Sequence, residues 1–260
     1  MLQIRIGIEV ASLRLPFRKA LLTAAQMGVQ GVEIDARQEL SPEELTQTGV
    51  RHVRKILEDF NLRVTSVRFR TRHGYNVLEG LERRVDATKN ALKLAYDLGA
   101  GILINHVGQI PAEDDKVGSD MMYAVLTDIG RHGQKVGATL AAETGTDSAA
   151  DLARMLEALP QGTLGLDFNP AELVLNSLSP AEVLTVVGRH ISHVHVADAT
   201  RDVSQRRGYE VALGRGSVDW PQLLGMLEER DYRGCFTMQR RDGDHPAEDI
   251  ADGMQYLKAL

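Results

Sequence analysis

The stretch from Thr139 to Val196, TLAAETGTDSAADLARMLEALPQGTLGLDFNPAELVLNSLSPAEVLTVVGRHISHVHV, decides the fold. It opens on a short β-rich run, Thr139–Glu143. Ser148 to Leu159 then repeats its apolar residues at three and four, and two further runs, Leu164–Phe168 and Ile191–Val196, enclose a second helical pattern from Pro180 to Gly188. Outward from this stretch the alternation continues. Strands are expected at Ile4–Val10, Gly31–Ile34, Arg63–Phe69, Gly101–His106 and Cys235–Gln239, and helices at Phe17–Met27, Pro42–Phe60, Leu81–Leu98, Gly118–Val136, Asp219–Arg230 and Pro246–Leu260. Ser41 before Pro42 with Glu44, and Ser179 before Pro180, read as helix starts; Gly28, Gly99 and Gly137 read as helix stops.

Strand then helix, eight times without a composition break, predicts one domain over residues 1–260: a single (β/α)8 TIM barrel of the α/β class. A doubly wound open sheet is the alternative. Its dinucleotide-binding form needs a Gly-rich turn after the first strand, and Ala11, Ser12, Leu13 and Arg14 offer none. The longest segment without a clear element, Asp198 to Val218, is expected to cover the C-terminal mouth.

Composition narrows the function. With 43% hydrophobic and 25% charged residues the chain can bury a large core, and a net charge of −6 argues against nucleic acid or an acidic membrane surface as partner. No window approaches a membrane span, and no targeting segment is expected. One cysteine, Cys235, cannot form an internal disulfide, which suits a reducing cytoplasm. A homo-oligomer is compatible with all of this.

A TIM barrel builds its site at the C-terminal ends of its strands, and here those ends are polar. They carry Glu9; Glu33 and Asp35; Arg68 and Arg70; Asn105 and His106; and then, one per strand, Glu143, Asp167, His195 and Gln239. Strand spacing lets the last four converge on one divalent ion, and their O, O, N, O donor set suits Mn²⁺, Mg²⁺, Co²⁺ or Zn²⁺. His193 lies two residues before His195, about 6.6 Å along the strand, and is read as a deeper core histidine.

The phrases GILINHVG, LAAETGT, LGLDFNPAE, ISHVHVAD, ALGRGSVDW and YRGCFTMQ resemble the sugar isomerase/epimerase family with a xylose-isomerase-like TIM barrel, over essentially the whole chain. The resemblance implies one or two divalent metals held by Glu143, Asp167, His195 and a final glutamate, and a substrate arginine at Arg201, six residues past the ligand histidine. Two positions depart from the pattern. Gln239 stands where the family places its fourth glutamate, so the ion is expected to be held weakly and a two-base scheme is in doubt. Pro170 replaces a histidine, with Asn169 the nearest polar group.

The reaction expected from this set is isomerisation or epimerisation of a sugar, polyol or sugar acid through an enediolate. Glu143 is then the base, with Gln239, Glu33 and His106 as further catalytic positions. Asn169, Asp198, Arg201 and Arg215 are the expected substrate contacts, and Arg206 and Arg207 add positive charge to the same loop. A metal-assisted lyase or dehydratase is the alternative on the same fold, and a non-catalytic sugar-binding barrel is the alternative from another class.

Overall fold

The computed structural model describes residues 3–202 and 207–260. The chain runs β1 (Arg5–Glu9), α1 (Phe17–Gln26), β2 (Gly31–Asp35), α2 (Gln47–Asp59), β3 (Arg63–Arg68), α3 (Leu81–Asp97), β4 (Ile102–Asn105), α4 (Lys116–Val136) and β5 (Thr139–Glu143). It continues through α5 (Ala149–Ala158), β6 (Leu164–Phe168), α6 (Pro170–Leu175), α7 (Pro180–Val187), β7 (Ile191–Val196), β8 (Asp198–Asp202), β9 (Arg207–Val211), α8 (Trp220–Glu229), β10 (Cys235–Met238) and α9 (Pro246–Ala259). Eight strands close a parallel barrel in the order β1-β10-β7-β6-β5-β4-β3-β2. The open-sheet alternative is thereby excluded.

Ring order fixes which strands face each other. Four steps separate β1 from β5, and four separate β2 from β6, so each pair lies across the barrel axis. Apolar residues such as Ile8, Ile34, Leu103, Leu140, Leu166, Val194 and Phe236 are fully buried and hold the ring together, while the helices cover its outside. Gly28, Gly99 and Gly137 take positive φ just beyond α1, α3 and α4, the conformation their helix stops require. No helix among the described residues is long and apolar enough to cross a membrane.

Three local expectations are corrected. The second helix starts at Gln47, not Pro42: residues 41–45 form a turn, with the Ser41 carbonyl accepting from Glu44 and Leu45, and the cap is Thr46, which accepts from Gly49 N at 3.2 Å. The segment after β7 is not structureless, because β8 and β9 form an antiparallel hairpin from Asp198↔Val211 to Asp202↔Arg207. Its run of Thr, Arg, Asp and Gly lacks the apolar alternation that marks a strand. Finally, α6 was not foreseen, although Asn169-Pro170 with Glu172 carries the same start signal as Ser179-Pro180 with Glu182.

Candidate functional site

Parallel register places the polar strand ends in one layer. Glu9 is level with Glu33, Glu143 with Asp167, and His195 with Thr237. The ladder shifts between Val32 and Glu33 and again between Leu166 and Asp167, so two opposed strands are irregular where their carboxylates enter the barrel. Glu143 and Asp167 belong to the ends of β5 and β6, His195 to β7, and Gln239 follows β10: all four stand at the C-terminal mouth.

Two carboxylate–cation–carboxylate spans cross that mouth. In the first, Arg68 on β3 is 5% exposed; its Nη1 bonds Glu9 and its Nη2 donates to Glu143 Oε1 at 2.7 Å. One guanidinium thereby joins side chains from the opposed strands β1 and β5. In the second, His195 contacts Asp167 Oδ2 through Nδ1 at 2.8 Å and Glu33 Oε1 through Nε2 at 3.1 Å, joining β6 to β2. His193 lies beside it, with Nδ1 on Asp167 Oδ1 at 2.8 Å and Nε2 facing Thr237 at 2.8 Å and Ser66 at 3.2 Å.

These partners set the protonation states. Burial pushes against charge on Glu33, yet His195, His193 and Arg68 outweigh it and hold the carboxyl down to about 2. Asp167 is likewise kept well below the usual carboxylate range, and His195 is raised well above an ordinary imidazole because Asp167 and Glu33 overcome its desolvation. Glu143 is buried, but Arg68, Arg70 and Arg241 lower it. Arg70 Nη2 stands 2.9 Å from Glu143 Oε2, and Arg241 Nη2 stands 3.1 Å from Oε1. Four carboxylates in the two spans thus meet three guanidinium groups and one imidazolium.

The four expected metal ligands stand together at the mouth, but their donor atoms are engaged in pairs. Asp167 holds His195, Glu143 is turned to the arginines, and Gln239 donates to Glu9 Oε1 at 3.2 Å while accepting from Asn169 Nδ2 at 3.1 Å. Glu143, Asp167 and His195 do not bring their donor atoms within 4.8 Å of one another in this arrangement. A different group does: donor atoms of Glu33, His193 and His195 all lie within 4.8 Å of one another and could hold a metal. Asp167 takes the Nδ1 of both rings and so aims both Nε2 atoms toward Glu33, the way outer carboxylates orient metal-binding histidines. His193, read from the sequence as core, therefore belongs to the metal-capable group.

The remaining expected residues separate. His106 lines a cavity of about 220 Å³ beside Arg70, Thr71, Glu143, Thr144 and Glu172. Asn169 caps α6, its Oδ1 accepting from Glu172 N at 3.3 Å. Asp198 is 1% exposed and accepts four backbone N–H groups, from Ala199 and Val218 on Oδ1 and from Gly214 and Gly216 on Oδ2, at 2.9 to 3.1 Å. The Gly-Arg-Gly turn thus wraps a carboxylate of its own chain. At Gly216 a Cβ would run into Asp198 Oδ1 and the Ala199 carbonyl. Arg201 Nη1 donates to the Leu175 carbonyl at 2.9 Å and ties the hairpin to α6, while Arg215 is exposed. Arg206 lies outside the described residues.

Sequence reading passed over Arg241, Glu172, Glu210 and Glu39. Glu210 on β9 accepts from Arg240 Nη1 and Arg241 N, both at 2.9 Å, and Arg241 bonds Glu172 as well as Glu143, so the hairpin reaches Glu143 through Arg241. The doubled arginine after β10 was the available signal. Glu39 is half-buried, its Oε2 accepting from Asp35 N at 2.9 Å; burial, with Asp35, Glu9 and Glu33 nearby, raises it to about 8.

Residues 21–260 match the family described as xylose isomerase-like TIM barrel, and the chain belongs to that family. Among curated relatives, inosose dehydratase of Clostridium botulinum (strain Eklund 17B / Type B) is 23% identical over 131 residues, a match that spans 44% of this chain and 44% of the relative. A xylose isomerase domain protein from Planctomyces limnophilus superposes with a TM-score of 0.88 at 26% identity, covering 98% of this chain and 96% of that one. A xylose isomerase-like TIM barrel protein from Mycobacterium smegmatis, solved in complex with magnesium, gives 0.79 at 18% identity, with 99% and 95% covered. A D-tagatose 3-epimerase-like protein gives 0.80 at 17%, with 98% and 96% covered.

Proposed function

We propose that this member of the xylose isomerase-like TIM barrel family moves a proton next to the carbonyl of a small sugar, polyol or sugar acid, as an isomerase or epimerase. The observation that carries the reading is Glu143. Its carboxylate, with a side chain only 4% exposed, faces a cavity of about 220 Å³ and is surrounded by three guanidinium groups. That volume is below the roughly 300–1,000 Å³ of drug-sized sites and suits a small molecule.

Glu143 takes the proton from carbon, the electron pair moves to the carbonyl oxygen, and the enediolate forms beside Arg68 and Arg70, whose charge is fixed in place before reaction. His106 lines the same cavity and, in this reading, hands a proton to the substrate oxygen. Gln239 and Asn169 hold Glu9 and α6 at the rim, while Asp198 and Arg201 set the hairpin; Arg215 is left to meet the outer end of a substrate. Glu33 is fully buried against His195 and Ser66 and orients the imidazole. A divalent ion, Mn²⁺, Mg²⁺, Co²⁺ or Zn²⁺, fits Glu33, His193 and His195, where it would supply a Lewis acid.

A dehydratase is the second reading, favoured by the inosose dehydratase relatives. It begins with the same abstraction and ends with loss of a hydroxyl one carbon further on. Incubation with ketoses, inososes and sugar acids in D₂O separates the two. Deuterium entering an isomer of unchanged composition marks the isomerase or epimerase, and a product lighter by one water marks the dehydratase. Glu143→Gln should remove either signal. Exchange that persists in Glu143→Gln refutes the assignment of the base, and no exchange with any compound refutes the reaction class.

A further inference from the structure

Arg68 is a cation in the place where the fold gathers its acidic strand ends. Bonded at once to Glu9 on β1 and Glu143 on β5, its guanidinium must stand over the barrel axis, because those strands are diametrically opposed. Glu33 and Asp167 add to the negative field around it. Its third nitrogen, Nε, is buried and has no hydrogen-bond partner among the described residues, so this cation retains one donor for an oxygen that is not part of the chain.

We propose that Arg68 is the resident cation of the mouth, occupying the position at which Glu143, Asp167, His195 and Gln239 would otherwise converge on a divalent ion. Charge accounts for Gln239. A guanidinium brings one positive charge where an ion brings two, and the site has one carboxylate fewer than the sequence pattern leads one to expect. A glutamate at 239 would stand against Glu9, to which Gln239 now donates. Geometry accounts for Glu143: both its oxygens accept from guanidinium nitrogens of Arg68, Arg70 and Arg241. Arginine keeps its proton at every working pH, so this cation is never lost to chelators or dilution. The inference rests on the geometry of the mouth and not on the reaction proposed above. It concerns Glu143, Asp167 and Gln239, and it meets the Glu33 and His193 group only at His195, which the two sets share.

The test is calorimetric titration of the full chain with Mn²⁺, in wild type, Glu143→Gln, Arg68→Met and the double variant. Whatever ion the wild type takes up at Glu33, His193 and His195, Glu143→Gln should leave its affinity unchanged. Arg68→Met should gain one further Mn²⁺ per chain, and adding Glu143→Gln should weaken that new site by about tenfold or more. A wild-type affinity that falls about tenfold in Glu143→Gln overturns the proposal, since Glu143 would then already be a ligand. A folded Arg68→Met that gains no ion overturns it too. If Arg68→Met does not fold, the wild type and Glu143→Gln decide the question alone. Because no substrate is involved, the outcome is independent of whether the enzyme isomerises, epimerises or dehydrates.

Discussion

Replacing Asp198 with alanine tests whether this carboxylate organises the mouth or touches substrate. Its two oxygens accept four backbone N–H groups while the residue is 1% exposed. Each buried donor left unsatisfied costs about 1–3 kcal/mol. Water can reach some of the loop once the side chain is gone, so the sum is capped at roughly 3–5 kcal/mol. For a chain of this size 1 kcal/mol moves Tm by about 2–4 °C, so Asp198→Ala should melt on the order of 10 °C lower. Asp198→Asn is not conservative here. One oxygen remains for one pair of donors, and the amide NH₂ is turned against the other pair, so a loss of about 2–3 kcal/mol is expected. Thermal melts and urea titrations of the three proteins measure this. A substrate contact predicts the reverse pattern, a raised KM at unchanged Tm; melting of both variants within about 2 °C of wild type would refute the structural reading.

Three further outcomes follow from the same physics. Burial raises Glu39 to about 8 in the fold from an ordinary 4.5, so the unfolded chain ionises first and stability is lost as pH rises from about 4.5 to 8; Glu39→Gln should be the more stable protein in that window by up to ~4 kcal/mol, and an advantage that does not grow with pH between 5 and 8 in urea titrations contradicts it. Gln239→Glu places a carboxylate beside Glu9 at a position 4% exposed, so folding should weaken by about 2–4 kcal/mol at neutral pH and recover relative to wild type below about pH 5; equal stability at pH 7 would show that Glu9 is not where its bonds place it. Gly216→Ala should destabilise by a few kcal/mol, read by melting temperature, because the new methyl meets Asp198 and the Ala199 carbonyl.

The ring of strands was legible because each barrel strand is a short buried run with its own helix behind it. All eight expected strands end within one residue of the observed end, and Thr139–Glu143, Leu164–Phe168 and Ile191–Val196 match at both ends. What escaped lies between elements. The hairpin is held by backbone pairing and by Arg201 on Leu175, neither of which has a sequence period. At the site, residue types at strand ends could be named, but not their partners. Glu143 reads as a metal ligand because Asp167, His195 and Gln239 end the next three strands, whereas its contacts come from β3 and from the segment after β10. One clue was present: Ser66 and Arg68 alternate on β3 with Val67, so an arginine shared the inward face with a buried serine.

Glu9–Arg68–Glu143 and Glu33–His195–Asp167 also have a mechanical meaning. A barrel closed only by its ladder can flatten, since hydrogen bonds between neighbours resist separation better than they resist ovalisation. Two ionic struts laid across opposite strands hold its cross-section round at one end. They also join residues 59 and 75 positions apart along the chain through Arg68, and 162 apart through His195, so the first half of the barrel cannot open without disturbing the second. Hydrogen exchange should then show the amides of β1, β2, β5 and β6 opening as one cooperative unit, with the mouth as their common fastening.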